Sequence, residues 1–419
     1  MPSSTSTLTL LQPQRIWDRC EALARLSELD GGLTRVFLSP EQKAANELVL
    51  GWMREAGLVA HVDAIGNCVG RYEGESAGLP CLMLGSHLDT VRDAGKYDGM
   101  LGVIVAIEVV AALHAQKKRL PFAIEVVGFG DEEGVRFGAT LLGSRAVAGT
   151  FDLALLDKVD AQGVSLRDAM RAFALDPLQI AGVARRPGDL LAYAELHIEQ
   201  GPVLEADGLA LGVVTAINGG NRFNVEVTGM AGHAGTVPMR LRRDALAAAA
   251  ECVLAVERIA GALPNIVGTV GRIEALPGAM NVIPGRAQFS LDVRAPTDEA
   301  RRSALAAIRA EFDAIAARRN VRLTFEPLWE AKTAPCAPAL QEQLAAAIAA
   351  EGLRVHHLPS GAGHDGMAIV EIAPIGMLFV RCKDGVSHNP AEAITLDDVR
   401  VGAQAFARFV ENFVPPPRS

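Results

Sequence analysis

The stretch Cys81-Leu82-Met83-Leu84-Gly85-Ser86-His87-Leu88-Asp89-Thr90 decides the fold. It opens as a short apolar run, the mark of a buried strand, and exits into a histidine and an aspartate two positions apart. A second run, Ala123-Ile124-Glu125-Val126-Val127-Gly128-Phe129-Gly130, exits into Asp131-Glu132-Glu133-Gly134. Ligands gather at the carboxyl ends of strands in open α/β sheets. One imidazole and several carboxylates delivered there are what a metal centre requires.

Working outward, alternation of strands and helices predicts an α/β chain with a largely parallel sheet covered on both faces. A helix over 14–29 and another over 39–56, opening on Ser39-Pro40-Glu41, precede a hairpin over 59–72 that turns at 64–67. The Cys81 run and a helix over 102–116 form one unit. The run over 122–129 and a helix near 143–148 form the next. Residues 152–187 read as two or three surface helices, and the run 190–196 exits into His197-Ile198-Glu199-Gln200-Gly201.

From about residue 216 the texture changes. Strands over 223–228, 266–274, 287–294 and 321–326 alternate with helices over 244–262 and 299–317. The order β-α-β-β-α-β is ferredoxin-like. The expected organisation is a first catalytic part over 1–215, an inserted α+β lid and dimerisation domain over 216–328, and a second catalytic part over 329–419. A helix over 339–351, a strand over 354–358 and the run 375–380 return to the main sheet, with hinges near 216–220 and 328–332.

Composition limits the function classes. Forty basic against 49 acidic residues give a net charge of −9, which argues against a nucleic-acid partner. No window approaches the ~20 apolar residues needed to cross a bilayer, and residues 1–14 lack the pattern of a signal peptide. The six cysteines are scattered without a C-x-x-C pair, as in a reduced, cytoplasmic chain.

Two adjacent carboxylates, read alone, make an exposed acidic turn. At the exit of a buried strand, beside other ligand types, their repulsion must be relieved, most simply by a cation. Adjacent side chains then point apart, so that one can ligate and the other can serve as a base. Asp98, His197 and His388 recur after other apolar runs. Gly361-Ala362-Gly363-His364-Asp365-Gly366 formally matches G-x-G-x-x-G, but it lacks the βαβ context of a dinucleotide site. No G-x-S-x-G elbow of a serine hydrolase is present. A metal-binding protein without catalysis is the reading from another class, and a carboxylate left free beside the ligands argues against it.

The segments 85–90, Tyr97-Asp98-Gly99, 131–137, 197–202 and Ser387-His388-Asn389-Pro390 resemble those of the two-metal M20 amidohydrolases. Within that family the chain is most similar to the branch of allantoate amidohydrolases, N-carbamoyl-L-amino acid hydrolases and β-ureidopropionases. The resemblance implies two divalent ions, Zn²⁺ or Mn²⁺, bridged by Asp98. His87 and His197 would complete one site, and Glu133 and His388 the other. Glu132 would be the general base, and Asp89 would orient His87. In the lid, His233 would stabilise the oxyanion, while Asn281 and Arg294 bind substrate, Arg294 gripping a carboxylate. Gln200 would contact the ureido group, and Gly363 and His364 would line the pocket. The implied activity is metal-assisted hydrolysis of a terminal ureido C–N bond, with allantoate as first substrate and an N-carbamoyl amino acid as the alternative. The implied assembly is a homodimer through the lid, with a small carboxylate-bearing ureido compound as the partner.

Overall fold

The computed structural model describes residues 7–186 and 188–417. Residues 1–6 of the Ser/Thr-rich start and Pro187 at the end of the 152–187 segment lie outside the described residues. The chain divides into two compact units: Met1–Thr215 with Cys336–Leu358 and Ala362–Ser419, and Ala216–Pro335 with Pro359–Gly361.

After a single helical turn at Thr7–Leu10, the first unit has helices Pro13–Ala24 and Pro40–Glu55. The first ends short of the expected residue 29, where the Ser27 hydroxyl accepts the amides of Leu29 and Thr34 and turns the chain away. The second is capped by Ser39, whose side chain accepts the Gln42 amide. Strands β1 (Val59–Val62) and β2 (Cys68–Tyr72) pair as the hairpin. Its turn is closed by Asp63 Oδ1, which accepts the amides of Ile65, Gly66 and Asn67.

Strands β3 (Cys81–His87) and β4 (Ala123–Phe129) are buried along their whole length. Between them runs the helix Met100–Ala115, apolar nearly all round and therefore buried. Fully burying each Val, Leu or Ile contributes roughly 1.5–3 kcal/mol. The one acid in that helix, Glu108, is gripped through two hydrogen bonds by Arg15. Strands β5 (Leu190–Ile198) and β6 (Leu211–Ile217) follow, and β6 carries the chain into the second unit.

The second unit holds β7 (Gly219–Thr228), the short β8 (Gly232–His233), β9 (Val267–Thr269), β10 (Ile273–Leu276), β11 (Val282–Ile283), β12 (Arg286–Ala295), β13 (Arg322–Ala331) and β14 (Ala334–Pro335). Its main sheet has the order β10-β12-β7-β13, antiparallel throughout, with β9 also beside β12. This is the ferredoxin-like arrangement, with the second strand in two pieces. The single strand expected over 266–274 is interrupted because the Ser290 hydroxyl accepts the amides of Gly271 and Arg272. Helices Ala245–Gly261 and Asp298–Arg319 cover one face, capped by Asp244 and Thr297. The unit ends later than the expected residue 328: β13 pairs with β7 as far as Ala331, so a cut at 328 would fall inside a ladder, and the unit closes at Pro335.

Back in the first unit come helix Pro338–Ala350, strands β15 (His357–Ser360) and β16 (Ile375–Val380), and a closing helix Leu396–Glu411 beyond the elements expected from the sequence. A capping box of Thr395 and Asp398 starts that helix. The ladder of β15 begins at His357 rather than Arg354. The first unit's sheet runs β1-β2-β4-β3-β5-β16-β6. Its centre is parallel across β4, β3, β5 and β16, and the flanking pairs are antiparallel. Because β3, β4 and β5 run the same way, His87, Phe129 and His197 reach the same edge of the sheet. No helix among the described residues is long and apolar enough to cross a membrane.

Candidate metal centre

At that edge β3 ends on His87, and β5 presents His197 one residue before its end. Both rings are buried. His87 Nδ1 is hydrogen-bonded to the carbonyl of Asp89 and His197 Nδ1 to that of Ile198, each at 2.9 Å. A carbonyl only accepts, so each Nδ1 carries a proton and Nε2 is the nitrogen turned to the cluster, that of His197 also meeting the Gly99 amide at 3.2 Å. Asp98 Oδ1 lies 3.5 Å from His87 Nε2 and 3.2 Å from His197 Nε2, while Oδ2 lies 3.2 Å from His388 Nε2. His388 Nε2 is in turn 3.4 Å from Glu133 Oε1. The sets His87, Asp98, His197 and Asp98, Glu133, His388 each offer ligand atoms within 4.8 Å of one another.

These residues fit a pair of divalent ions. Asp98 Oδ1 is buried and, among the described residues, has no hydrogen-bond partner, so a lone pair is directed into the cluster. The donors are imidazole and carboxylate, which suit Zn²⁺ and Mn²⁺ alike. The electrostatics agree. Burial pushes the Glu133 carboxyl up to about 7, with Asp98 and Asp89 adding to it. Burial, together with Glu133, Asp365 and Asp89, holds Glu132 well above the usual carboxylate range. Asp98 goes the other way: burial would raise it, but the three imidazoles hold it well below. Carboxylates crowded enough to resist ionisation are a cluster that a cation would relieve.

Close packing holds the set. Gly99, at φ 73°, lies under the His87 ring, and a Cβ there would come within 2.4 Å of Cε1. The Asp89 carboxylate, expected to orient His87, is 4.0 Å from its Nδ1. It accepts instead the amides of Glu132 at 3.1 Å and Glu133 at 3.2 Å, so it is the backbone of Asp89 that meets His87. Gln200 Nε2 donates to Asp98 Oδ2 at 2.9 Å. A Cβ on Gly363 would lie 3.8 Å from Glu132 Oε1. His364 is buried, edge-on to His197 with ring centroids 4.5 Å apart; burial and His197 hold its pKa well below the usual value.

Three further expected residues belong to the second unit. His233 is exposed on β8, opposite Val282 of β11, and Asn281 accepts the Ala234 amide through its backbone carbonyl at 2.9 Å. Arg294 on β12 donates to Asp292 at 3.0 and 3.2 Å and to the carbonyl of Gly361 at 2.7 Å.

Sequence reasoning missed a polar layer beneath the ligands. Glu195, two residues before His197 on the same face of β5, accepts from Ser86 at 2.6 Å and Tyr193 at 2.9 Å. The period of two along the strand was the available signal. It also missed Arg35, fully buried, whose guanidinium donates to the carbonyl of Leu88 at 2.9 Å, between His87 and Asp89. Nothing local in the sequence marks Arg35.

A mainly parallel α/β sheet with overlapping His/Asp/Glu clusters at its strand ends is a framework suited to a metal-dependent enzyme. Residues 83–412 match the model of peptidase family M20/M25/M40, and the chain belongs to that family. It is 44% identical over 396 residues, 94% of this chain and 97% of the other, to an N-carbamoyl-L-amino acid amidohydrolase of Geobacillus stearothermophilus. It is 40% identical over 432 residues, 94% of this chain and 82% of the other, to an allantoate deiminase of Arabidopsis thaliana. Among solved structures it is similar to an amidase of the hydantoinase/carbamoylase family from Burkholderia multivorans, at 33% identity with a TM-score of 0.90, covering 97% of this chain and 99% of that one.

Proposed function

We propose that the protein hydrolyses a terminal ureido C–N bond of a small carboxylate-bearing compound at a pair of Zn²⁺ or Mn²⁺ ions. The observation that carries the two-ion reading is Asp98, a buried carboxylate whose two oxygens face three imidazole Nε2 atoms. The carbamoyl reading is supported by the relatives at 44% and 40% identity.

His87, His197 and Asp98 would hold one ion, and Asp98, Glu133 and His388 the other. Bound cations of this kind polarise a carbonyl and acidify water. Glu132 takes a proton from the attacking water, whose oxygen adds to the carbamoyl carbon. As the C–N bond breaks, Glu132 returns that proton to the departing nitrogen. The released carbamate decomposes to ammonia and CO₂. His233 donates to the developing oxyanion, Asn281 and Arg294 bind the substrate, and Gln200 contacts the ureido group. The second unit acts as a lid and as the contact of a homodimer. The six cysteines, all buried and unpaired, support a cytoplasmic location.

The first substrate reading is allantoate, giving ureidoglycine or ureidoglycolate. The 44% relative favours a second, an N-carbamoyl-L-amino acid. The test is ammonia release from allantoate, a panel of N-carbamoyl-L-amino acids and N-carbamoyl-β-alanine, with apo protein reloaded by each metal. Turnover of one class names the substrate. No turnover of any by the metal-loaded protein overturns the proposal.

A further inference from the structure

We propose that Glu392 is a positioning residue that ties the loop of Asp98 to the loop of His388 and, through Ser387, keeps Asp98 available to a cation. This inference rests on the reading of Asp98 and His388 as ligands.

Glu392 is buried, in the loop that follows His388. Its Oε1 accepts the backbone amides of Tyr97 at 2.8 Å and Asp98 at 3.1 Å. Its Oε2 accepts the Ser387 hydroxyl at 2.8 Å. One carboxylate thus holds the peptide that carries Asp98 and the residue that precedes His388, across 294 sequence positions. The loop before Asp98 folds directly onto it: a Cβ on Gly95 would come within 2.1 Å of Glu392 Cδ. Among the described residues no lysine or arginine forms an ion pair with Glu392, whose carboxyl group is held by two amides and one hydroxyl. A polar group buried this deeply has to be satisfied locally, and here its partners are the two loops that carry the proposed ligands.

The Ser387 hydroxyl adds a second link. Its oxygen is also 3.0 Å from Asp98 Oδ2, and it has a single proton to give. Directed at Glu392, that proton leaves Asp98 Oδ2 with the Gln200 amide and one further lone pair to ligate. A glutamine at 392 can still accept the two amides through its carbonyl. Its NH₂ group, however, donates into Ser387 Oγ and turns the hydroxyl proton onto Asp98, where it competes with the cation.

The test is calorimetric titration of the full-length apo protein with Zn²⁺ and with Mn²⁺, alongside urea unfolding of the same apo samples. We expect E392Q to keep the wild-type unfolding midpoint and to bind metal roughly 10- to 100-fold more weakly, the usual cost of losing a partner behind a ligand. S387A/E392Q, which has no hydroxyl proton to misdirect, should recover most of that loss. Wild-type metal affinity in E392Q, or a double variant as weak as E392Q, overturns the inference. D98N is the separate control: if it binds both ions as wild type does, the underlying reading of the centre fails, whatever E392Q does.

Discussion

The carboxylate of Asp89 accepts the backbone amide of Glu132 at 3.1 Å. With the Glu133 amide on its other oxygen at 3.2 Å, it fixes the acidic loop after β4 to the loop after β3. The same residue meets His87 through its carbonyl. Asp89 therefore sets two geometries at once, the proposed base and a proposed ligand.

Asparagine at 89 can accept one of those amides but opposes the other with a donor. We expect D89N to lose about 1–3 kcal/mol of stability, the cost of a buried polar group left without its partner. Turnover should fall as Glu132 shifts. Urea unfolding and steady-state rates on the same preparation check both, and a D89N protein with wild-type kcat would show that the loop does not depend on this bond.

Replacing Glu132 by glutamine removes the proposed proton carrier while keeping its shape. The expected result is a kcat reduced by about 10²–10⁴-fold, the range for loss of a general base. Metal content, measured by atomic emission, should stay at the wild-type value. Unchanged turnover with metal bound would refute the role.

The two proposed ion sites differ in access. The His388 side chain is 49% exposed, whereas His87 and His197 are 3% and 1% exposed. H388A should lose one of two bound ions and keep the buried one, and brief chelation of the wild type should remove its ions in two phases. Metal-to-protein ratios after desalting report both. A single-phase loss of both ions would show one inseparable site.

Arg294, proposed to grip the substrate carboxylate, donates from Nε and Nη2 to Asp292 and from Nη1 to the Gly361 carbonyl, so in that role its fork would exchange part of these bonds for the substrate. Lysine cannot reproduce that fork. R294K should raise KM by about 10- to 100-fold, corresponding to roughly 1.5–3 kcal/mol for charged hydrogen bonds, with a smaller effect on kcat. Substrate saturation curves distinguish this from a loss confined to kcat.

Burial pushes the Asp292 carboxyl up, but hydrogen bonds from Arg294 and Arg222 outweigh it and hold the group below the ordinary value of 3.8. A depressed carboxyl stabilises the fold above its unfolded-state pKa, and that contribution is lost as pH falls through the folded one. D292N should therefore lower the urea midpoint at neutral pH, and the gap to wild type should begin to shrink as the pH drops below 3.8 and close only below the lowered folded-state value. A gap that persists in acid would mean that shape, not charge, is what Asp292 supplies.

Much of this site is legible in the sequence. His87, Glu132 and Glu133 follow apolar runs that form strands β3 and β4, and the alternation of runs and helices marks the parallel centre of the sheet. Where the reading slipped, a side chain had intervened from outside the local window. Ser290 interrupts the second strand of the ferredoxin-like unit, and the β7 partner carries β13 past residue 328. The resemblance puts the Asp89 side chain on His87, yet its carboxylate is taken by amides of another loop.

The sequence by itself determined the strands, their polar exits and the chemical types gathered there, because hydrophobic period and turn chemistry act over a few residues. Only the tertiary structure decided which of those groups meet. Ser387 and Asp98 lie 289 positions apart and 3.0 Å from contact to contact, and no local pattern encodes that distance. Convergence is set by strand order and by buried polar groups such as Arg35, Glu195 and Glu392, which must find partners wherever the fold provides them.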